Sequence, residues 1–236
     1  LIGLVTRAIR WRVLLANQLP FNRAFSIMNV AYLVNGVLPM RIGEVARIYL
    51  TTRVKRPIPA MQTASTIVIE RLLDLLAVVV MMLLALTVAP VPQELQVAGA
   101  FGAGLAIAGF IVLILLARQR TTTEGFIDWL AIRIPLLNRL NISKYVSDFL
   151  DGLMPILDFY SLSRAILWTV ISWIVSVIAG YILMFAFFER GDLTATMLYI
   201  AAAAFAIALP AVPGNIGTYE ASILLALSAL GYEQSD

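Results

Sequence analysis

Apolar residues come in long runs along this chain, and short polar clusters interrupt them. The runs "LAVVVMMLLALTVA" and "GAFGAGLAIAGFIVLILLA" are close to the length a helix needs to cross a bilayer. Neither shows the alternation of a membrane-barrel strand. The pattern predicts helices throughout. Residues 1–18 form a first segment with Arg7, Arg10 and Arg12 towards its polar side, broken at Pro20 and Asn22. Residues 23–38 are moderately apolar but short for a crossing, and a short amphipathic helix follows Pro39. This helix–break–helix reads as a re-entrant or interfacial hairpin. A long helical run opens at Pro57 and reaches Ala89, roughly 50 Å at 1.5 Å per residue. Its first turns therefore lie outside the hydrocarbon or are shielded by protein. Spans are expected at 95–117 and 165–188, with amphipathic surface helices between them at about 118–164. A final pair, 193–210 and 216–230, is broken by "PAVPGNIG".

Three polar constellations interrupt this pattern. In "NGVLPMRIGEVAR", Arg41, Glu44 and Arg47 recur every three residues, and Thr51 and Lys55 continue at steps of four. On a helix they share a face. One reading is a solvated face in which Glu44 neutralises its neighbours. The other is a cationic lining, since an arginine fork matches phosphate oxygens and Gly43 allows close approach.

Gln62, Thr66, Glu70 and Asp74 follow one another at steps of four, and Arg71 sits three before Asp74. Ionisable groups within a span cost roughly 2.5–3.5 kcal/mol each on insertion scales, so they face a cavity or a partner. Glu70 and Arg71 fall near the inner interface, where snorkelling is an alternative. Asp74 lies deeper, with Arg71 as its expected local partner.

The third constellation is "LPAVPGNIGTYE". Pro210 and Pro213 stop a helix, Gly214 and Gly217 loosen the backbone, and Asn215 or Thr218 can cap the next helix. The new helix start favours an anion. Glu220 either compensates that dipole, pairs with an arginine across the bundle, or carries a proton. The stretches from Pro39 and Pro213 share Pro-x-x-Ile-Gly and a following Glu. Broken helices at matching places in two halves mark a transporter site, although the echo is short enough to arise by chance.

Composition sets the class. Of 236 residues, 13% are charged and 61% hydrophobic, against about 25% charged in an ordinary soluble domain. The expected fold is all-α: a polytopic integral membrane helical bundle with re-entrant or broken helices and a candidate inverted repeat. It forms one domain over residues 1–236. The opening at Leu1 suggests that a first span is missing. There is no His and no Cys, which removes thiol and imidazole chemistry and the usual zinc ligands. No metal or other cofactor is expected. The net charge of +3 suits a surface facing anionic lipid and does not by itself imply nucleic acid.

Lysines and arginines concentrate at Arg53, Lys55 and Arg56 and again at Arg118, Arg120, Arg133, Arg139, Lys144 and Arg164. The loop at Pro90 has none, and 189–192 carries only Arg190. The basic loops, and with them the 118–164 region, are placed in the cytoplasm.

"NGVLPMRIGEVARIYL", "TIVIERLLDLLAVVV" and "VPGNIGTYEASILLAL", in that order and spacing, resemble the membrane domain of the lysylphosphatidylglycerol synthase/flippase family. That family includes the bacterial multiple peptide resistance factor. The matching positions are Asn35, Pro39, Arg41, Gly43, Glu44, Arg47, Glu70, Arg71, Asp74, Pro213, Gly214, Gly217 and Glu220, and the resemblance covers almost the whole chain. It implies a multi-span prokaryotic inner-membrane protein that handles a lipid with an anionic or aminoacylated headgroup. The aminoacyl-transferring domain of bifunctional members is not visible, so lysyl transfer is not implied.

Lipid translocation is the leading expectation, with an anionic phospholipid or a polyprenyl-phosphate lipid as partner. Arg41, Arg47 and Arg71 would hold a phosphate. Glu44, Glu70, Asp74 and Glu220 would balance charge, bind an amine or couple to protons, with Asn215 beside them. Pro39, Gly43, Pro210, Pro213, Gly214 and Gly217 would supply helix ends and bending points. The balance leans to a transporter over an enzyme. A lipid-linked glycosyltransferase or other lipid-modifying enzyme is the alternative, using Glu44, Glu70 or Asp74 as base or metal ligand. A scaffold subunit is a third. Homo-oligomerisation stays open.

Overall fold

In the computed structural model, the described residues are 1–38, 42–87, 93–134, 140–188, 191–208, 217–228 and 230–232. Among them the chain is helical, with no strand. The helices are α1 (Ile2–Leu14), α2 (Phe21–Val37), α3 (Ile42–Thr51), α4 (Ala60–Leu86), α5 (Gln93–Arg118), α6 (Arg120–Arg133), α7 (Ile142–Leu157), α8 (Phe159–Met184), α9 (Leu193–Ala208) and α10 (Thr218–Ser228).

Two of these helices are both long and apolar enough to cross a bilayer, at Gln96–Arg118 and Phe159–Met184. Only 22% and 11% of their most apolar windows are buried inside the protein. On α8, Leu167, Val170, Ile174, Ile178 and Ile182 all face outward. A soluble helix buries its apolar stripe, and soluble monomers rarely expose contiguous apolar patches of this kind. These faces fit hydrocarbon better than water, as expected for a helical membrane protein.

The last span starts earlier than the hydropathy suggests, at Phe159 rather than 165. Asp158 is the reason. Its carboxylate accepts the Ser161 N–H at 2.8 Å, a side-chain cap that fixes the helix start one and a half turns ahead of the apolar run. The long helix likewise begins at Ala60 rather than Pro57, because Ile58 N–H is held by Thr51 O at 3.1 Å.

Helix α4 is the centre of the fold, packed by α1, α3, α5, α7, α8 and α9. Val13 and Leu14 of α1, Ile69 and Leu73 of α4, and Leu150, Leu153 and Ile156 of α7 share one buried cluster. Helix α7 thus turns its apolar face onto protein rather than lying on the surface alone. Arg120 of α6 ties down its polar side through Asp151 at 2.6 Å and Ser147 at 3.0 Å. At the other end of α4, Ala85 packs with Met184, Leu198 and Ala226.

Helices α2 and α3 form the hairpin expected around Pro39. Leu38 leaves α2 in an extended conformation, and α3 returns so tightly that Gly43 N–H donates to Asn35 Oδ1 at 2.7 Å. A Cβ at Gly43 would sit 2.1 Å from the Ala31 carbonyl oxygen, so this crossing needs glycine. Pro39, Arg41, Pro210, Pro213, Gly214 and Asn215 lie outside the described residues.

Candidate functional site

The polar faces anticipated on α3 and α4 converge. Glu44, Arg47 and Thr51 lie at i, i+3 and i+7 on α3, and Thr66, Glu70 and Asp74 lie at steps of four on α4. Thr51 and Thr63 hydroxyls meet at 2.8 Å and zip the two helices together. One turn along, Arg47 Nη2 donates to Glu70 Oε2 at 2.7 Å. Arg47 also reaches Glu44 at 3.4 Å, and Arg71 donates to the other Glu44 oxygen at 2.9 Å.

Sequence reasoning missed the sixth member. Arg10 of α1 is fully buried and donates through Nη2 to Glu70 Oε1 at 3.0 Å. It also grips Asp74 with both Nη atoms, the Nη2–Oδ2 contact being 3.1 Å. Arg71, the expected partner of Asp74, is more distant at 3.8 Å. The available signal was a pair of polar stripes: Thr6 and Arg10 on α1, and Thr169, Ser172, Trp173 and Ser176 on α8. These face each other, with Ser172 Oγ donating to Thr6 Oγ1 at 2.9 Å and Arg10 to Thr169 Oγ1 at 3.2 Å.

Aromatic residues close the network. The Trp173 indole N–H donates to Asp74 Oδ1 at 3.2 Å. The Arg47 guanidinium stacks on Trp11 at 4.3 Å, and the Trp11 N–H donates to Thr66. The network is graded: Arg10, Arg47 and Glu70 are closed off, whereas Glu44, Asp74 and Arg71 keep 20%, 21% and 40% of their side chains accessible. Three arginines face three carboxylates, so its formal charge is zero. The three Nε–H groups have no acceptor among the described residues.

Glu220 stands apart. Its carboxylate accepts Gly217 N–H at 2.6 Å and caps α10, and Gly217 adopts a positive φ of 88° that suits glycine. It makes no ion pair among the described residues. No group of three or more metal-ligating side chains occurs among the described residues.

Two cavities border the network. One, of about 780 Å³, runs between α4 and α8 and is lined by apolar side chains such as Leu76, Val80, Ile174 and Val177. Thr169 and Trp173 are polar members of its wall. The other, about 320 Å³, is lined by Arg7, Trp173, Ser176, Tyr199 and Tyr219 among others.

Lipid-facing helices around a buried, charge-balanced ion network define the class: a helical membrane protein with polar groups organised at its core. The match to the family described as "Lysylphosphatidylglycerol synthase TM region" extends over residues 1–236, and the chain belongs to that family. No curated protein and no solved structure matches it significantly. The family places the chain in a membrane with a lipid-related function.

Proposed function

We propose that this protein translocates a lipid with a phosphate-containing or aminoacylated headgroup across the prokaryotic inner membrane, with its basic loops in the cytoplasm. One observation carries the reading. The apolar cavity of about 780 Å³ has Thr169 and Trp173 in its wall, the two side chains that also hydrogen-bond the ion network. An apolar space with a polar spot in its wall suits an amphiphile, and its volume lies in the range of about 300–1,000 Å³ typical of ligand sites. In a span, groups such as Asp74 and Arg71 are retained against an insertion cost where a polar path needs them.

Within this reading, Arg10, Arg47 and Glu70 set the crossing of α1, α3 and α4. The accessible rim of Glu44, Arg71 and Asp74 borders the path of the headgroup, with Arg41 and Asn215 as further candidates to contact it from their place in the sequence. Reconstitution into liposomes with a labelled phospholipid tests the function. Wild-type protein moves the label between leaflets, and Arg71→Ala slows it severalfold. Label movement equal to that of empty liposomes contradicts the reading.

A further inference from the structure

The ion network is an unsuitable place for an added anion. Its three arginines are each paired to a carboxylate, so a phosphate entering it would face Glu44, Glu70 and Asp74 with no uncompensated cation among the described residues. Arg7, one turn before Arg10 on α1, differs. It is half-buried and lines the 320 Å³ cavity. Its hydrogen bond runs from Nη1 to the neutral Tyr32 hydroxyl at 2.8 Å, and its guanidinium lies 5.8 Å from that ring. Among the described residues, no carboxylate lies within salt-bridge distance of it.

The other polar groups of this cavity point the same way. Tyr199 is 8% exposed, and neither its hydroxyl nor that of Tyr219 has a hydrogen-bond partner among the described residues. Ser176 donates to Ser172 O at 3.0 Å. Among the described residues the wall therefore presents one guanidinium without a counter-ion and two hydroxyl donors without an acceptor. A guanidinium fork that shares one cavity wall with O–H donors supplies the donor set of an oxyanion receptor. Trp173 is common to both cavities, so an anionic group beside Arg7 would sit one indole away from the apolar groove.

We infer that Arg7, Tyr199 and Tyr219 form a phosphate-binding subsite, separate from the ion network, which holds the headgroup phosphate of a lipid whose chain occupies the groove between α4 and α8. This rests on the lipid-handling reading above and moves the phosphate away from the paired arginines. Trp173, hydrogen-bonded to Asp74, then stands between headgroup and charge network.

Binding to the purified chain in nanodiscs tests the subsite. The probes are phosphatidylglycerol with a fluorescent acyl chain and diacylglycerol bearing the same chain. Loss of a charge-assisted hydrogen bond predicts about tenfold weaker phosphatidylglycerol binding for Arg7→Ala. Arg7→Lys recovers part of it, Tyr199→Phe loses a few-fold, and diacylglycerol binding stays at the wild-type level in all three. Wild-type phosphatidylglycerol affinity in Arg7→Ala and Tyr199→Phe overturns the subsite, as does an equal loss for diacylglycerol. Displacement of the labelled lipid by inorganic phosphate alone would make the ligand a free anion and overturn the lipid assignment. Translocation is scored separately in liposomes. Inactive protein that keeps this binding pattern contradicts the transport reading alone, while active Arg7→Ala protein with unchanged binding contradicts the subsite alone.

Discussion

Arg7 and Arg10 sit one helical turn apart, and their surroundings are opposites. Arg10 is enclosed, paired to Glu70 and Asp74, and stitched to Thr169. Arg7 lines a cavity with neutral partners. A buried guanidinium that has two carboxylates is part of the frame, because removing any member leaves charge stranded in a poorly polarisable setting. A guanidinium beside a cavity with donors and no counter-ion is poised for something that arrives. Charge in a membrane helix therefore does not by itself mark a ligand site; how completely it is already balanced does.

Substitutions can break or sharpen that contrast. The largest effect is expected at Glu70, the carboxylate shared by Arg10 and Arg47. Glu70→Ala should cost about 3–5 kcal/mol, the range for stranding a buried partner, read as a lower thermal midpoint in detergent. The double variant Arg47→Met with Glu70→Leu should be less damaging than Glu70→Ala alone, since it leaves fewer unpaired charges. A double variant worse than the sum of its singles would deny that Arg47 and Glu70 act as a pair.

Gly43→Ala comes next, at about 1–3 kcal/mol for overpacking, because the new methyl would meet Ala31 O and Asn35 Oδ1. Cross-linking yield between α2 and α3 would show the hairpin opening, and an unchanged yield would contradict the tight crossing. Arg7→Ala should cost only about 1 kcal/mol, the worth of its hydrogen bond to Tyr32, while weakening phospholipid binding. Arg120→Ala is smallest, at about 0.2–1 kcal/mol for a partly exposed pair. Its effect should fade in high salt, and a salt-independent loss would mean that Arg120 holds α7 by packing or neutral hydrogen bonds instead of by charge.

Much of this arrangement was legible in the sequence, for a physical reason. Helical periodicity puts residues three and four apart on one face, so the stripes Glu44–Arg47–Thr51 and Thr66–Glu70–Asp74 could be read without tertiary knowledge. Proline and glycine placed the hairpin between α2 and α3. Periodicity says nothing about which faces meet. Arg10 looked like one of several arginines near a helix end, and only the packing of α1 on α8 and α4 shows it to be buried. The Arg7 cavity draws on α1, α8, α9 and α10, and no spacing rule spans four helices. Glu220 illustrates the converse. It echoes Glu44 in its local motif, yet it satisfies its own helix start at Gly217 N–H, as an acidic first-turn residue can do anywhere.

The central claim is that balanced charge builds the frame and unbalanced charge receives the ligand. Native mass spectrometry of co-purified phospholipid, paired with the thermal midpoint of each variant, tests it most directly. The account predicts that Arg7→Ala loses bound phospholipid at a midpoint close to wild type, while Glu70→Gln loses stability and its folded fraction retains lipid. Lipid retained in Arg7→Ala, or lost from folded Glu70→Gln protein, would contradict it.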